Sequence, residues 1–374
     1  MSKGECFSRP TLRFPDAEYT ARLARLRRRM VVEKFDALLI EDEINRGYLT
    51  GFEASNGLLC VNTDAEMAFF TDFRYIESAR VELGFLHCKK FGRGPRYEGL
   101  TQLARRQSWR RVGYDGAGSV SALDAMKKAL PEVTEWASCQ GVINTLRMIK
   151  SPRELTVIRN AVRMGDESFA HVLPQIRPGM SEWEIRVRMR SVMDQVSQGE
   201  SFETIVCVGA NASQCHHHPS LRPLRSGQEL LIDMGVKVDG YCSDMTRVVF
   251  FGTPSPKLRE IYRIVLAANQ RAIAGVRAGI TSHEADRLAR ELIEKAGYGK
   301  YFGHSLGHGV GLQVHDPGSL RTNGKERLQP GMVVTIEPGI YLPGIGGVRI
   351  EDMVVVREKG CEVLTQTPKE LRCL

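Results

Sequence analysis

A chain of 374 residues is long enough for two domains and a large core, and 42% hydrophobic with 26% charged residues is ordinary globular composition. It holds no run of about 18 apolar residues and no apolar signal core in MSKGECFSRPTLRFPD, so neither a membrane span nor secretion is expected. The net charge of +8 raises a nucleic-acid partner, but no zinc-finger spacing or aromatic-rich basic sheet supports one, and nine scattered cysteines without a C-x-x-C pair point to reduced thiols in a cytoplasm.

The spacing of Leu23, Leu26 and Met30 predicts an amphipathic helix over 16–34, with the arginines of ARLARLRRRM forming a solvated basic face. Ala37–Ile40 reads as a buried strand and Asn45–Phe52 (NRGYLTGF) as a turn-rich connection. Gly57–Asn62 and Met67–Thr71 pair as strands around Thr63-Asp64. Ile76–Leu83 and Glu98–Gln107 suit helices, with His87–Phe91 a strand between them; Arg111–Tyr114 is a strand and Ser121–Leu130 a helix. This alternation implies an α/β domain, and no cluster of titratable groups in it suggests chemistry. His87 reads as a structural residue at a strand edge.

The pattern changes between Gln140 and Ser151. Ser151, Pro152 and Glu154 form a helix start: a cap, a proline at the first helical position and the acid three residues on. The domain boundary is placed here, giving 1–146 and 147–374. A helix runs to about Leu173, with His171 a surface or packing residue, and Ser181 with Glu184 caps the next, to about Ser197. Strands follow at Thr204–Val208, Leu230–Met234 and Thr246–Phe251, then helices at Lys257–Val276 and from a Ser282 cap to Ala296. Strand-like pieces at Val333–Ile336, Val348–Ile350 and Met353–Val356 close the chain.

Chemistry concentrates in this second half. LLIDMGVKVDGYCSDMTRVVF reads as two strands, Leu230–Val238 and Tyr241–Phe251, joined at Asp239-Gly240, a pair suited to a turn with positive φ at both positions. In that register Val238 faces Tyr241 and Gly235 faces Asp244. Asp233 and Asp244 are then diagonal neighbours, roughly 7 Å apart, in an apolar hairpin. Like charges so placed require an arginine, a shared proton or a metal between them. A second hairpin repeats the device: if it centres on Gly344, Glu337 and Glu351 stand opposite each other. Four acids favour cations over a proton-sharing pair. FGHSLGHGVGLQVH places His304, His308 and His315 among glycines, and CHHHP adds His216, His217 and His218. Carboxylates with an imidazole suit manganese, zinc, cobalt or iron; the competing reading pairs the acids with Arg247 and Arg349.

These segments resemble the pita-bread metallopeptidases, the creatinase, aminopeptidase P, prolidase and methionine aminopeptidase superfamily. The resemblance rests on IDMG (Ile232–Gly235), SDMTR (Ser243–Arg247), HSLGHGVGLQVHDP (His304–Pro317), TIEPGIY (Thr335–Tyr341) and GVRIEDM (Gly347–Met353). NRGYLTGF, TDFRY (Thr71–Tyr75) and RMIKSPREL (Arg147–Leu155) extend it to the first half, in the branch of aminopeptidase P, prolidase and creatinase. It implies a creatinase-like α/β domain over 1–146. A catalytic α+β pita-bread domain would follow over 147–374, with a curved, mainly antiparallel sheet flanked by helices.

Carried over position by position, the resemblance implies metal ligands at Asp233, Asp244, His308, Glu337 and Glu351, with Asp244 and Glu351 bridging two divalent ions, manganese first. His216, His304 and His315 match the accessory histidines, and Arg349 would hold the bridging carboxylate. The family pattern has proline where this chain has Cys215, so His217 or His218 competes with His216 for the place facing the site. The implied activity is hydrolysis of the Xaa-Pro bond at peptide N-termini by a metal-bridging hydroxide, most like a bacterial Xaa-Pro aminopeptidase. Glu337 would carry the proton, His304 and His216 would bind or polarise substrate, and His315 would orient the leaving side. Prolidase, acting on the dipeptide, is the alternative; a peptide-binding module with a degenerate site is a third reading. A cytoplasmic homodimer taking peptides with proline second, and neither nucleic acid nor membrane, completes the expectation.

Overall fold

The computed structural model describes residues 14–63, 67–91, 96–116 and 118–374, so part of the expected Thr63-Asp64 turn lies outside the described residues. Two compact units divide after Arg147.

The first unit carries α1 (Asp16–Val32), β1 (Ala37–Ile40), α2 (Glu43–Thr50), β2 (Gly57–Asn62), β3 (Ala68–Thr71) and α3 (Ile76–Glu82). It continues with β4 (His87–Lys90), α4 (Glu98–Arg106), β5 (Arg111–Tyr114), α5 (Val120–Ala129), β6 (Glu135–Ser138) and α6 (Gln140–Met148). The strands form one mixed sheet, β4-β3-β2-β1-β5-β6, in which β1, β5 and β6 are parallel. Leu39, Cys60 and Val112 pack with Leu100 and Leu103 of α4 and Met126 of α5. The expected α/β alternation is present, with three differences. Asn45–Phe52 is mostly helix, because Asp42 accepts from the Asn45 N–H at its start and Gly51, at φ 71°, ends it. The edge strand β6 was not anticipated. The basic face of α1 is not wholly solvated: Arg22 is buried, donates to the Tyr48 carbonyl at 2.6 Å and lies 4.2 Å above the Tyr48 ring.

The second unit begins with α7 (Pro152–Val172), α8 (Glu182–Val196) and β7 (Ile205–Val208). The first hairpin is β8 (Glu229–Met234), β9 (Lys237–Val238), β10 (Tyr241–Cys242) and β11 (Met245–Phe250), followed by α9 (Pro256–Gly275) and α10 (Ser282–Lys295). Then come β12 (Gly307–Gly309), β13 (Asp316–Leu320), β14 (Val333–Ile336), β15 (Gly339–Leu342), β16 (Gly346–Arg349), β17 (Asp352–Val356) and β18 (Cys361–Val363). Every ladder is antiparallel: β11-β8-β7, β13-β12-β14-β17-β18, β10-β9 and β15-β16. Alternation along β8 explains the layering: Leu230 and Ile232 face the cluster of α7 and α8, while Leu231 faces that of α9 and α10. Mainly antiparallel sheets between helix pairs are as expected.

Both hairpins keep the expected registers but are broken rather than continuous. Val238 pairs with Tyr241 across Asp239 (φ 47°) and Gly240 (φ 80°), and Met234 pairs with Met245 in the same register. Between them Ser243 donates its N–H to the Val236 carbonyl, and Gly235 lies so near the Ser243 carbonyl that a Cβ there would sit 1.9 Å from its oxygen. In the second hairpin Ile336 faces Asp352 and Gly339 faces Arg349, the register centred on Gly344. Capping boxes hold the starts of α7 and α8 at Ser151 and Ser181. On α10 the cap is Thr281 with Glu284, one residue before the expected Ser282, whose buried hydroxyl instead accepts the Arg321 N–H.

Candidate metal centre

The hairpin breaks are where the acids sit. Asp233 is the penultimate residue of β8, paired with Thr246 and Ile205 just before the break, Asp244 immediately precedes β11, and Glu337 and Glu351 occupy the gap between the β14–β17 and β15–β16 ladders. The side chains converge on a cavity of about 380 Å³ that all four acids line together with His216, His304, His308 and His315.

One nitrogen or oxygen from each of Asp244, His308 and Glu351 lies within 4.8 Å of the other two. His308 Nδ1 is 3.1 Å from the Gly309 carbonyl oxygen, which only accepts, so the proton sits there and the Nε2 lone pair faces the acids. Nε2 is 3.5 Å from Asp244 and 3.4 Å from Glu337. Thr335 links the two walls, accepting from the His308 N–H at 3.0 Å and donating to Glu337 at 3.1 Å. Thr246 donates to Glu351 at 2.7 Å.

Among the described residues, Arg349 is the one guanidinium in the cavity. Its Nη2 donates to Asp233 at 2.6 Å, its Nε to the Thr246 hydroxyl and its Nη1 to the Tyr341 hydroxyl. It therefore contacts Asp233 directly and reaches Glu351 only through Thr246, which differs from the expected hold on Glu351. Arg247 pairs with the Asp352 carboxylate at 2.7 Å and donates to the Glu351 backbone carbonyl at 2.6 Å, rather than to any of the four carboxylates. Among the described residues, one cation thus faces four carboxylates, and the other oxygen of Asp233 is buried with no hydrogen-bond partner.

The electrostatics follow from that imbalance. Burial, then repulsion from Glu351, Asp233 and Glu337, holds Asp244 well above the ordinary carboxylate range. Burial, then Glu337 and Asp233, does the same to Glu351. Glu337 is pushed up to about 8, chiefly by burial, with Asp233 raising it and Arg349 opposing. Burial pushes His308 and His304 down to about 4, so both are neutral near pH 7. A buried oxygen without a donor, three acids that resist ionising and a neutral imidazole with its lone pair inward fit divalent cations.

The histidines sort by geometry. His304 Nδ1 donates to the Ser305 carbonyl at 2.8 Å and its Nε2 meets the Tyr341 hydroxyl at 2.9 Å. The His315 ring stands edge-on to His308, 4.2 Å between centroids. Of the CHHHP run, His217 is bonded to Glu182 at 2.8 Å and the His218 side chain is 88% exposed. His216 is close enough to depress the pKa of both His304 and His315. Tyr341, between Arg349 and His304, and the two threonines had no signal in the sequence beyond a place beside an acid in a strand.

Residues 156–358 match the model of metallopeptidase family M24, and residues 22–149 that of the creatinase/prolidase N-terminal domain. The chain belongs to metallopeptidase family M24. It is of the pita-bread superfamily, in its creatinase/prolidase branch. It is 35% identical to the Xaa-Pro dipeptidase of Pyrococcus furiosus over 94% of this chain and 99% of that one. Among solved structures it is similar to an Xaa-Pro dipeptidase from Bacillus anthracis (TM-score 0.91, 36% identity, 95% and 100% of the two chains covered). It is also similar to an X-Pro aminopeptidase from Thermotoga maritima (TM-score 0.84, 31% identity, 93% and 100% covered). The M24 assignment and the cluster of acids around His308 together make this a divalent-metal-dependent peptidase. Among the described residues, no helix is long and apolar enough to cross a membrane.

Proposed function

We propose that this M24 peptidase cleaves the Xaa-Pro bond at peptide N-termini, using two divalent cations, manganese first, held by Asp233, Asp244, His308, Glu337 and Glu351. The observation that carries the reading is the charge imbalance: four carboxylates around one neutral imidazole, with Arg349 the single cation and one oxygen of Asp233 left bare among the described residues. When bound, the cations lower the pKa of water and offset negative charge developing on the scissile carbonyl oxygen.

The chain's own groups do the rest. Glu337, held by Thr335 and beside His308, takes up the proton of the attacking water and returns it to the leaving proline nitrogen. His216 binds or polarises the carbonyl, and His304, whose Nδ1–H is held by Ser305, contributes to substrate binding through Tyr341. His304 acts as a unit with Tyr341, whose hydroxyl accepts from Arg349 and can give its own proton to His304. His315, beside His308, orients the leaving side. Arg349 fixes Asp233 and, through Thr246, Glu351. A cytoplasmic homodimer is part of the same proposal.

The sequence motifs are shared by Xaa-Pro aminopeptidases and prolidases, and the likeness to the Thermotoga maritima X-Pro aminopeptidase supports the first reading. The prolidase reading is favoured by the dipeptidase names of the Pyrococcus and Bacillus relatives. The deciding assay strips and restores metal, then offers Xaa-Pro dipeptides beside Xaa-Pro-Yaa peptides of increasing length. Cleavage of the longer peptides supports the aminopeptidase; cleavage of dipeptides alone assigns prolidase. Cleavage of neither, with manganese bound, overturns the Xaa-Pro reading.

A further inference from the structure

The cavity wall that carries His216 is a loop, residues 209–219, between β7 and the run leading to β8. Cys215, His216, His217, His218 and Pro219 of this loop all line the cavity. Its first half, Gly209–Ser213, is a short 3-10 turn, and the Gln214 N–H donates to the Asn211 carbonyl. One acid outside the loop gathers hydrogen bonds from both halves of it.

Glu182, the first residue of α8, is completely buried. One carboxylate oxygen accepts from the Val208 N–H at 2.7 Å and the Asn211 amide at 2.8 Å. The other takes His217 Nε2 at 2.8 Å, the Ser220 N–H at 2.9 Å and the Ser220 hydroxyl at 2.5 Å. The five donors come from the residue before the loop, two inside it and the residue after it. Two N–H groups of the first turn of α8 add further ties, Glu182 to the Arg222 carbonyl and Trp183 to the Ser220 carbonyl. The negative charge also sits at the positive end of the helix. Despite its burial, these hydrogen bonds keep the Glu182 carboxyl below its ordinary range.

We infer that Glu182 is a positioning residue: by holding His217 it sets how the neighbouring His216, and Cys215 before it, stand at the substrate cavity. His216 and His217 share a peptide bond, so anchoring His217 on Glu182 fixes the backbone on one side of His216 and restricts where His216 and Cys215 can point. The same tie separates the three histidines: His217 meets a buried carboxylate, while the His218 side chain is exposed.

The test uses the full chain with Glu182→Gln, His217→Ala and His217→Gln. Cys215 is the reporter, half-buried on the same loop. Its alkylation by N-ethylmaleimide is followed in metal-free protein by peptide mass spectrometry, with half-buried Cys88 as the control. The kinetic arm rests on the Xaa-Pro reading above and is run at equal metal content. His217→Ala is expected to raise the Cys215 rate at least about fivefold with Cys88 unchanged. It is expected to lower kcat/KM by about 10–100-fold, the scale of a displacement near 1 Å. His217→Gln, which keeps a donor, should recover part of both, and Glu182→Gln should match or exceed His217→Ala. A Cys215 rate within twofold of the parent in both His217→Ala and Glu182→Gln would overturn the inference, whatever the kinetics. A faster Cys215 with unchanged kcat/KM would overturn it too, since the loop would then not place His216. If the parent itself does not cleave Xaa-Pro bonds, the Xaa-Pro reading fails while the Cys215 rates still decide whether Glu182 sets the loop.

Discussion

Glu337 and Glu351 stand opposite each other in one hairpin register, in the gap between two ladders: Ile336 faces Asp352 on one side and Gly339 faces Arg349 on the other. Neither acid has a guanidinium of its own, because Arg349 reaches past them to Asp233. Without metal, burial and mutual repulsion keep protons on this pair and on Asp244.

Metal removal should therefore expose an unusual pH dependence. A carboxyl that binds its proton more tightly folded than unfolded stabilises the fold fully below its unfolded value and loses that contribution as pH rises through its folded value. For Glu337 that window runs from 4.5 to about 8. The melting temperature of chelator-treated protein is expected to fall steadily across it. With manganese restored the trend should reverse, since the ions displace those protons and bind better as pH rises. Thermal melts at several pH values, with and without metal, check this; a metal-free melting temperature that climbs from pH 5 to 8 would contradict it.

Asp244→Asn separates the two roles of that carboxylate. In metal-free protein Asp244 already holds its proton at neutral pH, so the amide changes little there; as the pH rises and the acids ionise, it removes a charge that repels Glu351, Asp233 and Glu337, so stability should rise by about 1–2 kcal/mol. In the metal-loaded protein it removes a shared ligand, so activity should fall by more than the roughly 100-fold typical of losing an outer partner. Denaturant melts of both forms and metal analysis by mass spectrometry read the two signs. Unchanged metal content with full activity would remove Asp244 from the centre.

Arg349→Met keeps length and apolar bulk while deleting three hydrogen bonds, to Asp233, Thr246 and Tyr341. It leaves a buried acid without its partner, which costs about 3–5 kcal/mol in metal-free protein. Bound cations would compensate part of the lost charge, so the cost should shrink when metal is present. Urea melts of both variants, each with and without manganese, give the difference; an equal loss in the two states would mean Arg349 serves packing alone.

Much of this arrangement is legible in the residues. Asp239-Gly240 and Gly344 mark turns that need positive φ, and a turn fixes a register, which is why the pairing of acids could be read before any coordinates. The Ser151 and Ser181 capping boxes are local and equally readable. What escaped is tertiary. Arg22 looks solvated in sequence and is buried on Tyr48. The helix at Glu43–Thr50 hides behind Gly47 and is decided by the Asp42 cap. Glu182 reads as an ordinary first-turn acid until five donors from a distant loop converge on it. Tyr341 reads as a strand aromatic until Arg349 and His304 meet its hydroxyl.

The hairpin break at Gly235 gives a last prediction, in which two glycines of one hairpin behave differently. Gly235 stands opposite Asp244 and two residues from Asp233, and a Cβ on it would lie 1.9 Å from the Ser243 carbonyl oxygen. Gly235→Ala must push the strands apart just where the two aspartates converge, at a cost of about 1–3 kcal/mol. Gly240 sits in the turn at φ 80°, where a Cβ meets only Leu312 at 3.4 Å. Gly240→Ala carries a left-handed backbone cost of about 1–2 kcal/mol and leaves the register to the strands. Stability should drop by similar amounts in the two variants, whereas manganese affinity should fall at least about tenfold in Gly235→Ala and stay within twofold in Gly240→Ala. Isothermal titration with manganese distinguishes them. Equal affinities would mean that the centre tolerates separation of the strands, and that the spacing of Asp233 and Asp244 is set by something other than this close contact.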